Sequence, residues 1–346
     1  MSLLRILLWP LSLIYGALAR LRAWCYRAGI FKQKRLDGAV ISIGNLTLGG
    51  TGKTPVVIWL AQRLLADGKR VAVLSRGYGH LRRSTEFAQS QGQPPVMNDE
   101  AWVVWCHTDD RIQFGLGPNR YANGRILESK GVDWFILDDG FQHLELARDV
   151  DIVMIDATDP FGGGYLLPAG RLREPRSALS RADIVVISRS DGEPSLEAAI
   201  RQHTSAPIFH AQTNLQAILP VLPSPSDNPA EFDWREKKFW AFCGTGNPKA
   251  FFRDLSRWGA EIVGTSIFRD HHLYAQQEID EIEHRAVVAG ADALLCTEKD
   301  VPNLYRARWK QLPVYCCSIS FEIGDSAGFW AEVTSVIGRR NNNPAR

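Results

Sequence analysis

Short runs of aliphatic and β-branched residues recur along this chain, separated by segments whose apolar positions repeat every three or four residues. The first run, Ala39 to Ile43, predicts a buried strand, and Val56, Val57, Ile58, Leu60, Leu64 and Leu65 predict a helix over 56–66. Arg70 to Ser75 predicts the next strand, so strand, helix and strand make a βαβ unit with a parallel sheet. Residues 82–95, rich in Gln, Ser, Gly and Pro, predict a loop, followed by a helix through Trp102, Val103, Trp105 and Cys106. Further buried strands are expected over 132–137, 151–156 and 182–188. Around 205–235 the composition shifts to Pro, Ser, Asn and Asp, which predicts a hinge. A second α/β unit follows, with a strand over 238–243, a turn over 244–248, a helix over 249–258 and an acidic helix over 276–289. The expected fold is α/β, a mostly parallel sheet flanked by helices, with a smaller second α/β lobe. Its parts are an N-terminal helix (1–36), a core domain (37–210), a linker (211–235) and a C-terminal domain (236–346).

The chain start has a different pattern. Residues 6–19 are apolar almost throughout, but the run is fourteen residues long and holds Pro10, short of the about twenty a spanning helix needs. From Pro10, Leu11, Ile14, Leu18, Leu21 and Cys25 form one helical stripe, with Arg20, Arg22 and Arg27 near its end and Trp9, Tyr15, Trp24 and Tyr26 around it. Such a segment suits the headgroup layer of an anionic membrane. Ala17-Leu18-Ala19 offers a cleavage-site pattern for a secretory signal, and the nucleotide-type loop that follows argues against export.

The net charge of +2 hides an asymmetry, since residues 1–37 carry +6 and the remainder −4. Length and composition allow two ordinary globular domains. The six cysteines show no C-x-x-C spacing in a chain this long, which predicts reduced thiols.

The chemistry concentrates after the first strand, in Gly44-Asn45-Leu46-Thr47-Leu48-Gly49-Gly50-Thr51-Gly52-Lys53-Thr54. Strand, Gly-rich turn and helix in that order make a phosphate-binding loop of the P-loop NTPase kind. Gly49, Gly50, Thr51 and Gly52 let successive N–H groups face one anion, Lys53 reaches the terminal phosphates, and the Thr54 hydroxyl can ligate magnesium. The usual spacing places a glycine five residues before Gly52, where this chain has Thr47. Trp134-Phe135-Ile136-Leu137 running into Asp138 and Asp139 is a Walker B pattern, with carboxylates for a magnesium ion at the sheet edge. Gln142 and His143 follow close by. Residues 161–175, with Arg171 and Arg173 among glycines and prolines, predict a loop that approaches an anion. The adjacent His271 and His272 show no further metal-ligand spacing, and Gly244-Thr245-Gly246 predicts a tight turn rather than a second nucleotide site.

Together GNLTLGGTGKTP (44–55), SRGYG (75–79), NDE (98–100), LDDGFQH (137–143), LLPAGRLREP (166–175), FCGTGNP (242–248), FRDHH (268–272) and TEKD (297–300) resemble the tetraacyldisaccharide 4'-kinase family, in its order and over nearly the whole chain. The family's loop also carries the Thr47 variant. The resemblance implies ATP-dependent phosphorylation of the 4'-hydroxyl of a lipid A disaccharide 1-phosphate precursor, with Mg2+, at the cytoplasmic face of the inner membrane and with no nucleic-acid partner. It further implies Asp99 as the base for the sugar hydroxyl, assisted by His271, and Arg173 as a charge-neutralising cation beside Lys53. Glu100, Gln142, His143 and Glu174 are implied near the substrate, and His271 would reach over from the second lobe as the lobes close. A GTP-driven switch or metal-insertion chaperone is the main rival. Its Asn-Lys-x-Asp guanine reader is replaced here by Ser188-Arg189-Ser190-Asp191, and Thr297-Glu298-Lys299-Asp300 misplaces the lysine. A binding-only membrane protein would not need Lys53, Thr54 and both aspartates.

Overall fold

Alternation along the central strands explains the main layers. In the computed structural model, which describes residues 3–77, 97–221, 233–304 and 308–342, the chain divides into two compact units. One is Met1–Gln212 with Phe321–Arg346, and the other is Thr213–Ser320. The first begins with helix α1 (Leu3–Arg27) and continues through β1 (Ala39–Asn45), α2 (Lys53–Ala66), β2 (Val71–Ser75), α3 (Asp99–Cys106), β3 (Gln113–Leu116) and α4 (Arg120–Ser129). Next come β4 (Trp134–Asp138), β5 (Val150–Asp156), β6 (Ile184–Ser188), α5 (Pro194–Arg201) and the start of β7 (Ile208–Pro220). The strands lie in the order β3-β2-β4-β1-β5-β6-β7, and the pairs are parallel.

Parallel strands with both faces covered are apolar at nearly every position, as β1, β5 and β6 are. Ile41, Ile43, Ile152 and Met154 face one core, with Val56, Val57, Leu60 and Leu64 of α2. Val153, Ile155, Val185 and Ile187 face the other, with Phe141, Leu172 and Leu179. Ile43 pairs with Asp138 and Asn45 with Met154, so the C-terminal ends of β1, β4 and β5 share one edge. That edge carries the phosphate loop and the aspartate pair.

The second unit contains β8 (Lys238–Cys243), α6 (Pro248–Trp258), β9 (Glu261–Ile267), α7 (Gln276–Val288), β10 (Ala293–Thr297) and most of β11 (Val314–Ile323), in parallel order β11-β10-β8-β9. Its core joins Phe239, Ala241, Cys243, Phe251, Leu255, Leu295 and Tyr315. All six cysteines are free thiols.

Two boundaries differ from the sequence expectation. The expected linker (211–235) holds most of β7, residues 211–220, and its residues 222–232 lie outside those described, as do 82–95 and Tyr78-Gly79. The chain end, expected in the second domain, packs in the first through helix α8 (Ser326–Asn342). The reason is the apolar stripe Phe329, Val333, Val336 and Ile337, which joins the α2 core, with Phe329 5.3 Å from Trp59 and 5.4 Å from Phe209 between ring centroids. Helix α1 also exceeds expectation. It runs unbroken through Pro10, and Arg5–Arg27, 23 residues, is long and apolar enough to cross a membrane by length and composition. The run of uncharged residues understated it, because the arginines near its end are compatible with a helix of that character.

Candidate functional site

The loop after β1 starts from packing that only glycine permits. A Cβ at Gly44 would stand 2.5 Å from that of Phe141. Asn45, fully buried, donates through Nδ2 to the Thr47 carbonyl at 2.9 Å and accepts from Lys53 Nζ at 3.3 Å. Thr47 is buried in an isolated antiparallel bridge to Leu172, flanked by Arg173 N–H to Leu46 O and Leu48 N–H to Arg171 O, both 2.7 Å. The backbone there is extended and paired, so a threonine fits where other loops of this kind place glycine. The turn comes later, at Gly49 (φ 111°) and Gly52 (φ 78°). Ser188 at the end of β6 donates to the Thr51 carbonyl at 3.1 Å and backs Gly52.

Helix α2 begins with no side chain capping it and no acid in its first turn, so its leading N–H groups are left for an anion. The buried Thr51 Oγ1 has no partner among the described residues. In contrast, Asn98, Asn119 and Asn247 cap α3, α4 and α6.

Beside the loop, Arg173 Nη1 donates to both carboxylate oxygens of Asp139, at 2.8 and 2.7 Å, and Lys53 Nζ lies 3.4 Å from Asp139 Oδ1. Gln142 accepts from Arg173 at 3.2 Å and donates to the Asn45 carbonyl at 3.0 Å, tying this cluster to the strand. Burial works against the Asp139 charge, but Lys53 and Arg173 outweigh it and hold the carboxyl below its ordinary range. The buried Arg173 Nε has no partner among the described residues.

Asp138 differs from its neighbour. Burial pushes its pKa up to about 6, Lys53 and Arg120 oppose the rise, and Asp139 and Glu100 add to it. Ser75 Oγ donates to it at 3.4 Å. The buried Asp138 carboxylate with Asp139 and Glu100 near it makes an oxygen-rich surrounding of the kind a hard divalent cation takes. Asp139, the second metal ligand expected from the sequence, is engaged in this structure by two cationic side chains.

Asp99 is buried at the start of α3, where its Oδ1 accepts from the Glu100 N–H at 3.2 Å. Burial lowers the His143 pKa to about 4, Arg120 adding to the effect, and Arg120 Nη1 lies 3.2 Å from its Nδ1. Glu174 is turned to Arg181, at 2.7 and 3.0 Å, whose guanidinium sits 4.4 Å from the Phe141 ring centroid. His271 belongs to the second unit, where its backbone is left-handed (φ 58°) and its N–H donates to Gly244 O at 3.2 Å. The near-miss guanine strings are occupied structurally. Arg189 pairs with Asp156 at 2.9 Å, and buried Asp300 accepts from Tyr274 and Thr297 hydroxyls at 2.7 and 2.6 Å and from Gly244 N–H at 2.8 Å.

Sequence reasoning gave no role to Asn45, Ser188, Arg120 or Arg181. Asn45 had a usable signal, an amide placed at the strand end just before the loop.

A family model described as tetraacyldisaccharide-1-P 4'-kinase matches residues 4–338. The tetraacyldisaccharide 4'-kinase of Geobacter sulfurreducens is 39% identical over 332 residues, covering 94% of this chain and 91% of the relative. That of Geobacter metallireducens is 40% identical over 338 residues, covering 96% and 98%. Among solved structures, LpxK from Aquifex aeolicus in complex with ATP superposes with a TM-score of 0.72 at 29% identity, covering 97% of this chain and all (100%) of that one.

Proposed function

Since the chain belongs to the tetraacyldisaccharide 4'-kinase family, whose members are kinases of lipid A synthesis, we propose that it moves the γ-phosphoryl group of ATP to the 4'-hydroxyl of a tetraacylated glucosamine disaccharide 1-phosphate. The acceptor oxygen forms a bond to the γ-phosphorus, the bond from that phosphorus to the β–γ bridging oxygen breaks, and ADP leaves. The hydroxyl proton passes to Asp99, and His271 assists that base. The observation that carries the reading is the Lys53–Asp139–Arg173 cluster beside an uncapped helix start. Phosphoryl transfer asks a protein chiefly for positioning and charge neutralisation, and this cluster offers both.

Lys53 and Arg173 neutralise the transferring phosphate oxygens, while Asp139 fixes where the two cations stand. Asp138 and Thr54 would hold Mg2+, which would offset charge on the nucleotide phosphates. Gln142 keeps Arg173 in register with Asn45. Glu174 and His143 support this arrangement through Arg181 and Arg120.

The setting is the cytoplasmic face of the inner membrane. Leu11, Ile14, Leu18 and Leu21 on α1 are each more than half exposed (52, 58, 60 and 53%), a stripe suited to lipid beside arginines suited to anionic headgroups.

The test is to incubate the purified protein with labelled ATP and the disaccharide lipid in mixed micelles and to locate the new phosphate. The reading expects label at the 4'-position, ATP preferred over GTP, and a fall in kcat of about 10²–10⁴ for Asp99→Ala with nucleotide affinity retained. Label elsewhere, or full turnover by Asp99→Ala, would refute it.

A further inference from the structure

Helix α1 turns its apolar stripe outward and a different face toward the protein. Ser12 and Gly16 are buried, and Leu8, Tyr15, Ala19 and Ala23 are half-buried, one face at steps of three and four. The residues on this inner face are mostly small or polar. A methyl group at Gly16 would stand 2.6 Å from Leu166 Cδ1, so the helix lies close against the segment that leads to Arg173.

The polar contacts from α1 run to the loops that carry the candidate site. Ser12 Oγ donates to the Leu166 carbonyl at 3.0 Å and accepts from the Ala169 N–H at 3.0 Å. Tyr15 OH donates to the main-chain carbonyl of Arg173 at 2.9 Å. Arg22 Nη1 donates to the carbonyl of Gln142 at 2.9 Å. Arg173 and Gln142 are the two side chains that bond each other beside Asp139. One helix therefore fixes the backbone on both sides of that contact, and the strand bridge at Leu172 fixes it from the loop side.

We infer that Tyr15 is a positioning residue for phosphoryl transfer, acting through the Arg173 carbonyl to set where the Arg173 guanidinium stands. The inference rests on the proposed reading of Arg173 as a cation for the transferring phosphoryl group. An arginine is effective there only when held in place before the reaction, because preorganised charge needs no rearrangement at the transition state. Burial and the neighbouring Glu174 raise the Tyr15 pKa, which keeps the phenol protonated and able to donate. The helix that meets the lipid and the arginine that meets the phosphate are thus parts of one bonded assembly.

The test compares wild type, Tyr15→Phe, Arg173→Lys and the double variant in the same mixed micelles, with both substrates saturating. Loss of one hydrogen bond predicts that Tyr15→Phe lowers kcat about three- to tenfold, with the KM for ATP unchanged within about twofold. Because Tyr15 acts through Arg173, the double variant should be no slower than Arg173→Lys alone. The inference is overturned if Tyr15→Phe keeps wild-type kcat, or if its loss multiplies onto that of Arg173→Lys. Full activity of Arg173→Lys would instead remove the reading of Arg173, and the inference with it. Thermal unfolding of Tyr15→Phe at the wild-type temperature excludes a general loss of folding as the cause.

Discussion

His143 follows the aspartate pair closely, and the side chain of Arg120 contacts its Nδ1. With its pKa near 4 in the folded protein against an ordinary value of 6.5, the imidazole is neutral at pH 7. Between those two values the unfolded chain binds more protons than the folded one. Stability from this residue is therefore complete above about pH 6.5 and is lost as pH falls toward about 4. Allowing for solvent screening at a partly exposed group, acidification across this window should cost about 1–2 kcal/mol. Urea unfolding at several pH values checks this, and His143→Gln should flatten the acid limb. An equally steep acid limb in the variant would assign the loss elsewhere. Local geometry was legible from the sequence where it lay in one contiguous stretch, as with the glycine-rich turn between β1 and α2. It was not legible where partners are far apart, as with Ser188 to Thr51 across 137 positions and Tyr15 to Arg173 across 158. The pairing of Asp139 with Arg173 is of the same kind, and two adjacent aspartates look alike until their neighbours are known.

Among the elements, the strands with long β-branched runs and the helices after them were readable because burial on both faces leaves a continuous apolar signal. The four-residue β3 and the mostly polar α4 left no such signal. Helix α1 was visible as an apolar stripe, yet periodicity does not say whether a stripe faces the protein or the surroundings, and here it faces out. Helix α8 follows the second unit in the chain and packs in the first, which chain order alone conceals. Its central side chain, Phe329, is fully buried between Trp59 and Phe209. Phe329→Ala should destabilise the first unit by about 3–5 kcal/mol, read by denaturant unfolding. A loss below about 1 kcal/mol would mean that α8 is not part of that core.

At the scale of the whole chain, the phosphate loop, the aspartate pair, Arg173 and α1 all belong to one unit, and His271 belongs to the other. The family of the chain was legible because its motifs recur in order from one end to the other. The exact bounds of the two units were not, because β7 and β11 each carry residues of both. Above all, the loop from Leu46 to Thr54 is expected to grip the triphosphate. A crystal structure of this protein with Mg2+ and a non-hydrolysable ATP analogue tests it most directly. The expected result has the phosphates against the N–H groups of residues 49–54, with Lys53 and Arg173 turned to the terminal group. Phosphates bound away from this loop, with Lys53 and Arg173 still closed on Asp139, would contradict it.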